Sequence, residues 1–371
     1  MRPDPSALVL EALRHKAEHG LAGAVDSRDL ARGDGWIAQD VVCSSGPRDP
    51  AFEERHDWVS VAVVLSGTFT YRNDFGRNLL TPGSLLLGDA GGCFTCGHQH
   101  GEGDRCLAFH FEPAFFEQLA ANAGAREPRF GRTSLPAVRA LAPLVARAVV
   151  AADGTAVVSP RAPGPVVPAA AQDWAAAMAN PRTSGPPVPA VARAGAVAVA
   201  SPRASNSDTA AIAKKPGATA VAATPNSTSP NPALDELALD LAAGALLQST
   251  SAKPREISPR DERRVAAVIR HLETRYHQPW ALADLAGLAD ISPFHFLRVF
   301  RATAGQTPHQ YLLRARLRAA AVTLATTPTP VTEVALASGF EDLSNFIRSF
   351  RAEFGVAPTG YRPSARRRTS W

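Results

Sequence analysis

The chain has 371 residues, of which 45% are hydrophobic, so it is long enough for two folded units with connecting material and a sizeable core. Its net charge of +5 is unevenly placed: residues 255–371 hold 17 Arg and no Lys against 10 Asp and Glu, a local +7 that leaves −2 for the remainder. Basic charge gathered at one end without a lipid-insertion pattern points to a nucleic-acid partner and away from a membrane, and four cysteines are too few for a disulfide scaffold of this size.

At the N-terminus, Glu11, Arg14 and Lys16 interrupt the apolar run too early for a secretory signal, and no stretch is apolar enough to span a bilayer. The expected location is the cytoplasm. Residues 51–112 read as strands over 58–65, 68–72, 77–80, 84–87 and 105–111. Ser66-Gly67, Asn73-Asp74-Phe75-Gly76 and Thr81-Pro82-Gly83 supply the turns, which predicts a small antiparallel β-barrel or sandwich. Helices are predicted over 113–119 and 135–150. Residues 151–232 change to Ala, Pro, Ser, Thr, Gly and Val with 13 of the 31 prolines, a composition that cannot offset the entropy of ordering, so a disordered insertion is expected. A helix resumes at 233 with Leu234, Leu237 and Leu241 on one side, suited to packing on the β domain or, alternatively, to a dimer seam.

The C-terminal segment carries the most specific pattern. Val265, Val268, Ile269, Leu272 and Tyr276 fall at helical spacing. A short helix over 281–289, a turn at Asp290-Ile291 and the Ser292-Pro293 cap and first-turn pair then open a second helix, which makes a helix-turn-helix. The pattern recurs: a short helix over 331–337, a turn at Ser338-Gly339-Phe340, and Asp342 as cap of a helix through Phe354. Phe296 and Phe300 find counterparts in Phe346 and Phe350 fifty residues on. Each second helix buries one face and presents the other: Phe294, His295, Leu297, Arg298 and Arg301 in the first, Ser344, Asn345, Ile347, Arg348 and Arg351 in the second. These ten residues are the expected DNA contacts. Arg pairs bidentately with guanine, Asn pairs with adenine, and the apolar Leu297 and Ile347 suit thymine methyls. Arg314, Arg316 and Arg318, on the helix joining the modules, are expected at phosphates. That helix, about 17 residues and about 25 Å long, would hold the two reading helices roughly 34 Å apart, one turn of the duplex.

Residues 261–362 resemble the AraC/XylS family of transcription regulators, and the run 344–358 with Tyr361 and Arg362 resembles that family's signature. The resemblance implies a seven-helix DNA-binding domain and, for residues 51–112, a cupin-like barrel that receives an effector. One departure is Asp290, where the family's first turn usually has glycine; Asp tolerates the left-handed conformation moderately well. The expected fold is therefore an α+β multidomain chain: an N-terminal cupin-like antiparallel β-barrel with flanking helices (1–150), the insertion (151–232), a connector helix open to dimerisation (233–254), an all-α domain with two helix-turn-helix modules (255–362) and a basic tail (363–371).

Within the β region, Cys93, Cys96, His98, His100 and Cys106 gather three thiols and two imidazoles in fourteen positions. Thiolate and imidazole suit zinc, and a Cys-x-x-Cys pair suits redox sensing; ordinary packing with turn hydrogen bonds is the third reading. An enzymatic alternative, a metal-dependent cupin holding its metal through His98, His100 and Glu102 or His110, has its His-x-His in a Gly-rich loop and no acid, base or nucleophile set elsewhere. The expected function is thus non-enzymatic: sequence-specific regulation of transcription, with double-stranded DNA, RNA polymerase and an unidentified small-molecule effector as partners. A homodimer is left open, as is zinc at that cluster, and no other cofactor is expected.

Overall fold

The computed structural model describes residues 6–152, 232–249 and 257–362. The sequence expectations for most of the insertion and for the tail fall outside them. The N-terminal unit runs α1 (Ala7–His19), β1 (Val25–Gly33), β2 (Trp36–Cys43), β3 (Phe52–Arg55), β4 (Val59–Gly67), β5 (Phe69–Asn73), β6 (Gly76–Leu80), β7 (Leu85–Gly88), β8 (Cys93–Gly97), β9 (Asp104–Phe111), α2 (Pro113–Asn122), β10 (Ser134–Leu135) and α3 (Ala142–Ala152). Its strands form two antiparallel sheets, one ordered β1-β2-β9-β4-β7-β10 and the other β3-β8-β5-β6.

Strand β4 shows why the larger sheet is central. Its sequence VSVAVVLSG lacks apolar alternation because both faces are covered. Ala62, Val64 and Leu86 meet Phe69, Tyr71 and Leu80 of the smaller sheet in the barrel interior. Val61, Val63, Leu85, Leu107 and Phe109 pack outward against Phe116, Leu144 and Val149 of α2 and α3. The predicted helix over 135–150 starts later, at Ala142, since Leu135 is drawn into β10 by pairing with Leu85. Helix α4 (Pro232–Gln248) buries Leu234, Leu237 and Leu241 in the same outer core. That stripe is therefore spent within the chain and is not a dimer seam. Arg105, almost fully buried, donates from Nε and Nη2 to the two Asp40 oxygens at 2.8 and 3.0 Å and from Nη2 to the Ala152 carbonyl at 2.8 Å, which ties the end of α3 to the sheet.

Seven helices follow: α5 (Pro259–Thr274), α6 (Leu282–Leu288), α7 (Pro293–Ala304), α8 (Pro308–Thr326), α9 (Val331–Ala337), α10 (Leu343–Phe354) and α11 (Pro358–Tyr361). They have two cores. Val265, Ile269, Leu285, Phe296, Phe300 and Tyr311 fill the first; Leu317, Leu324, Val334, Phe346, Phe350 and Tyr361 fill the second. Helix α8 spans both. No helix among the described residues is long and apolar enough to cross a membrane.

Candidate nucleic-acid interface

The two helix-turn-helix units close their turns with matching bonds. In the first, Asp290 and Ile291 donate backbone N–H to the carbonyls of Gly287 and Ala286 at 3.0 and 3.2 Å; in the second, Gly339 and Phe340 donate to Leu336 and Ala335 at 2.9 and 3.1 Å. Both turns place one residue at positive φ: Asp290 at 51° and Gly339 at 87°. The second turn is one residue longer, because Asp290 and Gly339 are 49 positions apart whereas the Ser292 and Asp342 caps are 50 apart. Ser292 Oγ accepts from His295 N at 3.4 Å, and the Asp342 carboxylate accepts from Ser344 N and Asn345 N at 2.9 and 3.0 Å. Each cap therefore orients the first turn of its helix.

Beyond the caps, α7 and α10 have the same section. Phe296, Val299 and Phe300 are buried on α7, as are Phe346, Phe350 and Phe354 on α10. The opposite faces are open. Phe294 is 90% exposed, Arg298, Arg301, Ser344, Asn345, Arg348 and Arg351 are exposed, Ile347 is just exposed, and Leu297 and His295 are half-buried. Arg298 Nη2 donates to His295 Nδ1 at 3.1 Å, while Ser349 Oγ donates to Asn345 Oδ1 at 3.4 Å. His295 lies 3.5 Å from Asp261; desolvation raises the Asp261 carboxyl, but hydrogen bonds with Ser258, His295 and Arg264 and the His295 charge together outweigh it and hold the carboxyl below its usual range.

Three arginines assigned to phosphates from the sequence are engaged inside the domain instead. Arg314 pairs with Glu353 at 3.1 Å and Gln306 at 2.5 Å, Arg316 donates to the carbonyls of Tyr276 and Gln278 at 2.7 and 2.8 Å, and Arg318 pairs with Glu273 at 2.7 and 2.9 Å. They brace α8 between the two cores. At 19 residues α8 is about 28 Å long, slightly longer than expected.

The first unit also meets the barrel. Glu262, at the start of α5, accepts from Thr70 Oγ1 at 3.1 Å and pairs with Arg77, and His100 Nε2 lies 3.8 Å away. Arg270 donates to the His100 carbonyl. Neither ring nitrogen of the buried His100 has a hydrogen-bond partner.

The predicted thiol cluster does not form as a unit. Cys93 and Cys96 are three apart on a strand of period two, so they face opposite ways: Cys93 is exposed and Cys96 is buried. A Cys-x-x-Cys redox pair is therefore excluded geometrically, and burial pushes the Cys96 and Cys106 thiols up. His100 turns to Glu262, Glu102 is exposed, and His110 Nδ1 meets Ser60 Oγ at 2.9 Å, so neither the five-residue zinc set nor the cupin-enzyme set is assembled. Among the described residues the structure gathers Cys43, His98 and Asp104 instead, their donor atoms all within 4.8 Å of one another. Burial disfavours a charge on His98, but Asp104 and Cys43 beside the ring outweigh it and raise the imidazole to about 10. Cys43 escaped the sequence reading because the β1-β2 hairpin did, and Asp104, at the start of β9, was passed over because its partner across the sheet was not placed. Strand β1 reads VDSRDLARG and is mostly exposed, whereas the alternation of Trp36, Ala38 and Asp40 on β2 was a usable signal.

The sequence models of two families match the two units separately: a helix-turn-helix domain over residues 285–364 and an AraC-like ligand binding domain over residues 42–161. The chain belongs to the AraC family. It is similar to the probable transcriptional regulator LumQ of Photobacterium leiognathi, 34% identical over 91 residues, 24% of this chain and 37% of that protein. It is also similar to the RCS-specific HTH-type transcriptional activator RclR of Escherichia coli, 33% identical over 103 residues, 28% of this chain and 36% of that one. The matched part thus spans only about a third of the length of these relatives. The crystal structure of the AdpA DNA-binding domain in complex with a target DNA is 31% identical, with a TM-score of 0.26, covering 26% of this chain and 87% of that one.

Proposed function

We propose that this chain is an effector-controlled regulator of transcription that reads an asymmetric DNA site with two heads. The observation that carries the proposal is the pair of exposed, capped helix faces on α7 and α10, centred on Arg298 and Arg348 and joined by the rigid α8. Arginine in the first turns of a helix that enters the major groove reads guanine bidentately, and the apolar Leu297 and Ile347 meet thymine methyls. Exposed Arg301 and Arg351, one turn further along, serve the flanking phosphates. The barrel receives a small-molecule signal, and its effect reaches the first head through the polar contacts around Glu262. Polymerase contact is the natural output. An enzymatic role for the barrel gains no support from its imidazoles, which face different neighbours.

Selection of a random DNA pool by the full chain at about physiological salt tests this, because salt suppresses the sequence-independent phosphate contribution. Two enriched blocks about 10 base pairs apart are expected. A retained pool with no sequence preference removes the reading.

A further inference from the structure

We propose that Cys43, His98 and Asp104 form a zinc-binding site inside the β domain. The donors come from three strands and both sheets. Cys43 ends β2 and Asp104 begins β9, and the two are direct partners in the antiparallel register. His98 follows the last residue of β8 in the other sheet. All three are buried, with relative exposures of 4%, 4% and 5%. His98 Nε2 lies 2.5 Å from Asp104 Oδ1, and its Nδ1 has no hydrogen-bond partner.

Desolvating a carboxylate, an imidazole and a thiol at one point is unfavourable unless something compensates them; the His98–Asp104 contact does so in part and leaves His98 Nδ1 without a hydrogen-bond partner. A dication compensates them once it displaces the proton that His98 holds beside Asp104: with Cys43 as thiolate, Asp104 as carboxylate and His98 neutral, the two negative charges and the ion sum to zero in a buried site. The donor atoms lie within 4.8 Å of one another, and a modest adjustment brings them to the separations of about 3.3–3.8 Å that tetrahedral ligands have at about 2.0–2.3 Å from one ion. Seating the ion requires the His98 to Asp104 contact to open slightly, and Gly97, Gly101 and Gly103 in the joining segment allow it. The mixed sulfur, nitrogen and oxygen set selects zinc over magnesium or calcium, which take oxygen ligands. Cys106 Sγ, 3.5 Å from the second Asp104 oxygen, adds a neighbouring thiol. The segment between His98 and Asp104 also carries His100 to Glu262, so occupancy would set the geometry of the contact with α5. That consequence rests on the regulator reading; the site itself does not.

The test is metal analysis of the full chain, purified under reducing conditions, loaded with zinc and challenged with a chromophoric chelator. Wild type should retain about one zinc per chain. Cys43→Ser, His98→Gln and Asp104→Asn should each lose at least about tenfold in affinity, since even outer-shell changes cost about 10–100-fold, and Cys93→Ser should bind as wild type does. Cobalt substituted into wild type should show a thiolate-to-metal charge-transfer band, a readout that does not depend on any variant folding. Failure of wild type to hold stoichiometric zinc, absence of that band, or unchanged affinity in the folded Cys43→Ser variant would overturn the site. Sequence-selective DNA retention by the same preparations reads the regulator proposal separately.

Discussion

The two reading heads are fastened to the barrel in different ways. Around the first, the contact is polar: Glu262 takes Thr70 and Arg77, and Arg270 takes the His100 carbonyl. Around the second it is apolar: Ala146 of α3 lies in one core with Leu317, Ala320 and Phe350, and Val322 of α8 joins the barrel's outer core. A polar seam opens at low net cost because each group regains water, about 0.5–1.5 kcal/mol per hydrogen bond. An apolar seam loses its transfer free energy outright. The second head is thus part of the barrel's own structure, while the first is held by contacts that a ligand can outbid. In a two-headed reader this gives a signal something to move: one head stays and the other is released or seated.

Leu317→Ala should break the comparison most forcefully. The side chain is 1% exposed where the second core meets α3, so a cost of about 2–5 kcal/mol is expected in chemical denaturation. A loss under about 1 kcal/mol would mean that the second head is not fixed by packing. On DNA, Arg298→Ala and Arg348→Ala should each weaken the selected site by about 1–3 kcal/mol and relax preference at one base position. Their difference sharpens the point, because only the Arg298 loss should change when the barrel's signal is present. Equal weakening on all DNA sequences would assign these arginines to phosphates.

Glu262→Gln acts on the polar seam itself. The amide keeps an acceptor for Thr70, and Arg77, 31% exposed at its side chain, can rehydrate. The expected stability change is therefore only about 1 kcal/mol. Hydrogen exchange should nevertheless quicken in α5 and stay unchanged in α10. Equal quickening in both would show that the heads move together.

What the sequence disclosed follows the same division. The C-terminal pattern was readable because two copies of one apolar periodicity, each with its own cap, repeat the same instruction: Phe296 and Phe300, then Phe346 and Phe350. Strands β4 to β7 and β9 were readable from their turns, whereas β8 and the two-residue β10 were not. The β1-β2 hairpin was not, since β1 buries almost nothing and so carries no alternation, and with it went Cys43 and Asp40. Spacing along the chain also misled where a strand, not a helix or loop, sets the direction: Cys93 and Cys96 look like a pair and are separated by the sheet. For Arg314, Arg316 and Arg318 the charge was visible but the internal acceptors, Glu353, Glu273 and the carbonyls of Tyr276 and Gln278, were long-range.

The smallest effect is at the turns, where Asp290 of the first head stands in the place of Gly339 in the second. Gly339 admits no Cβ, which would fall 2.6 Å from the His277 carbonyl oxygen, so packing as well as φ requires glycine there. Asp290 holds its positive φ with a side chain that is 98% exposed and that nothing crowds. Its only penalty is conformational, about 1–2 kcal/mol for a generic L residue and less for Asp. Asp290→Gly removes that strain but enlarges the freedom of the unfolded chain, which returns part of the gain. A net stabilisation of about 0.5 kcal/mol, read as a small upward shift in the denaturation midpoint with DNA selectivity unchanged, is expected. Destabilisation would instead mean that the Asp290 side chain, 3.9 Å from Arg264, anchors the first turn to α5.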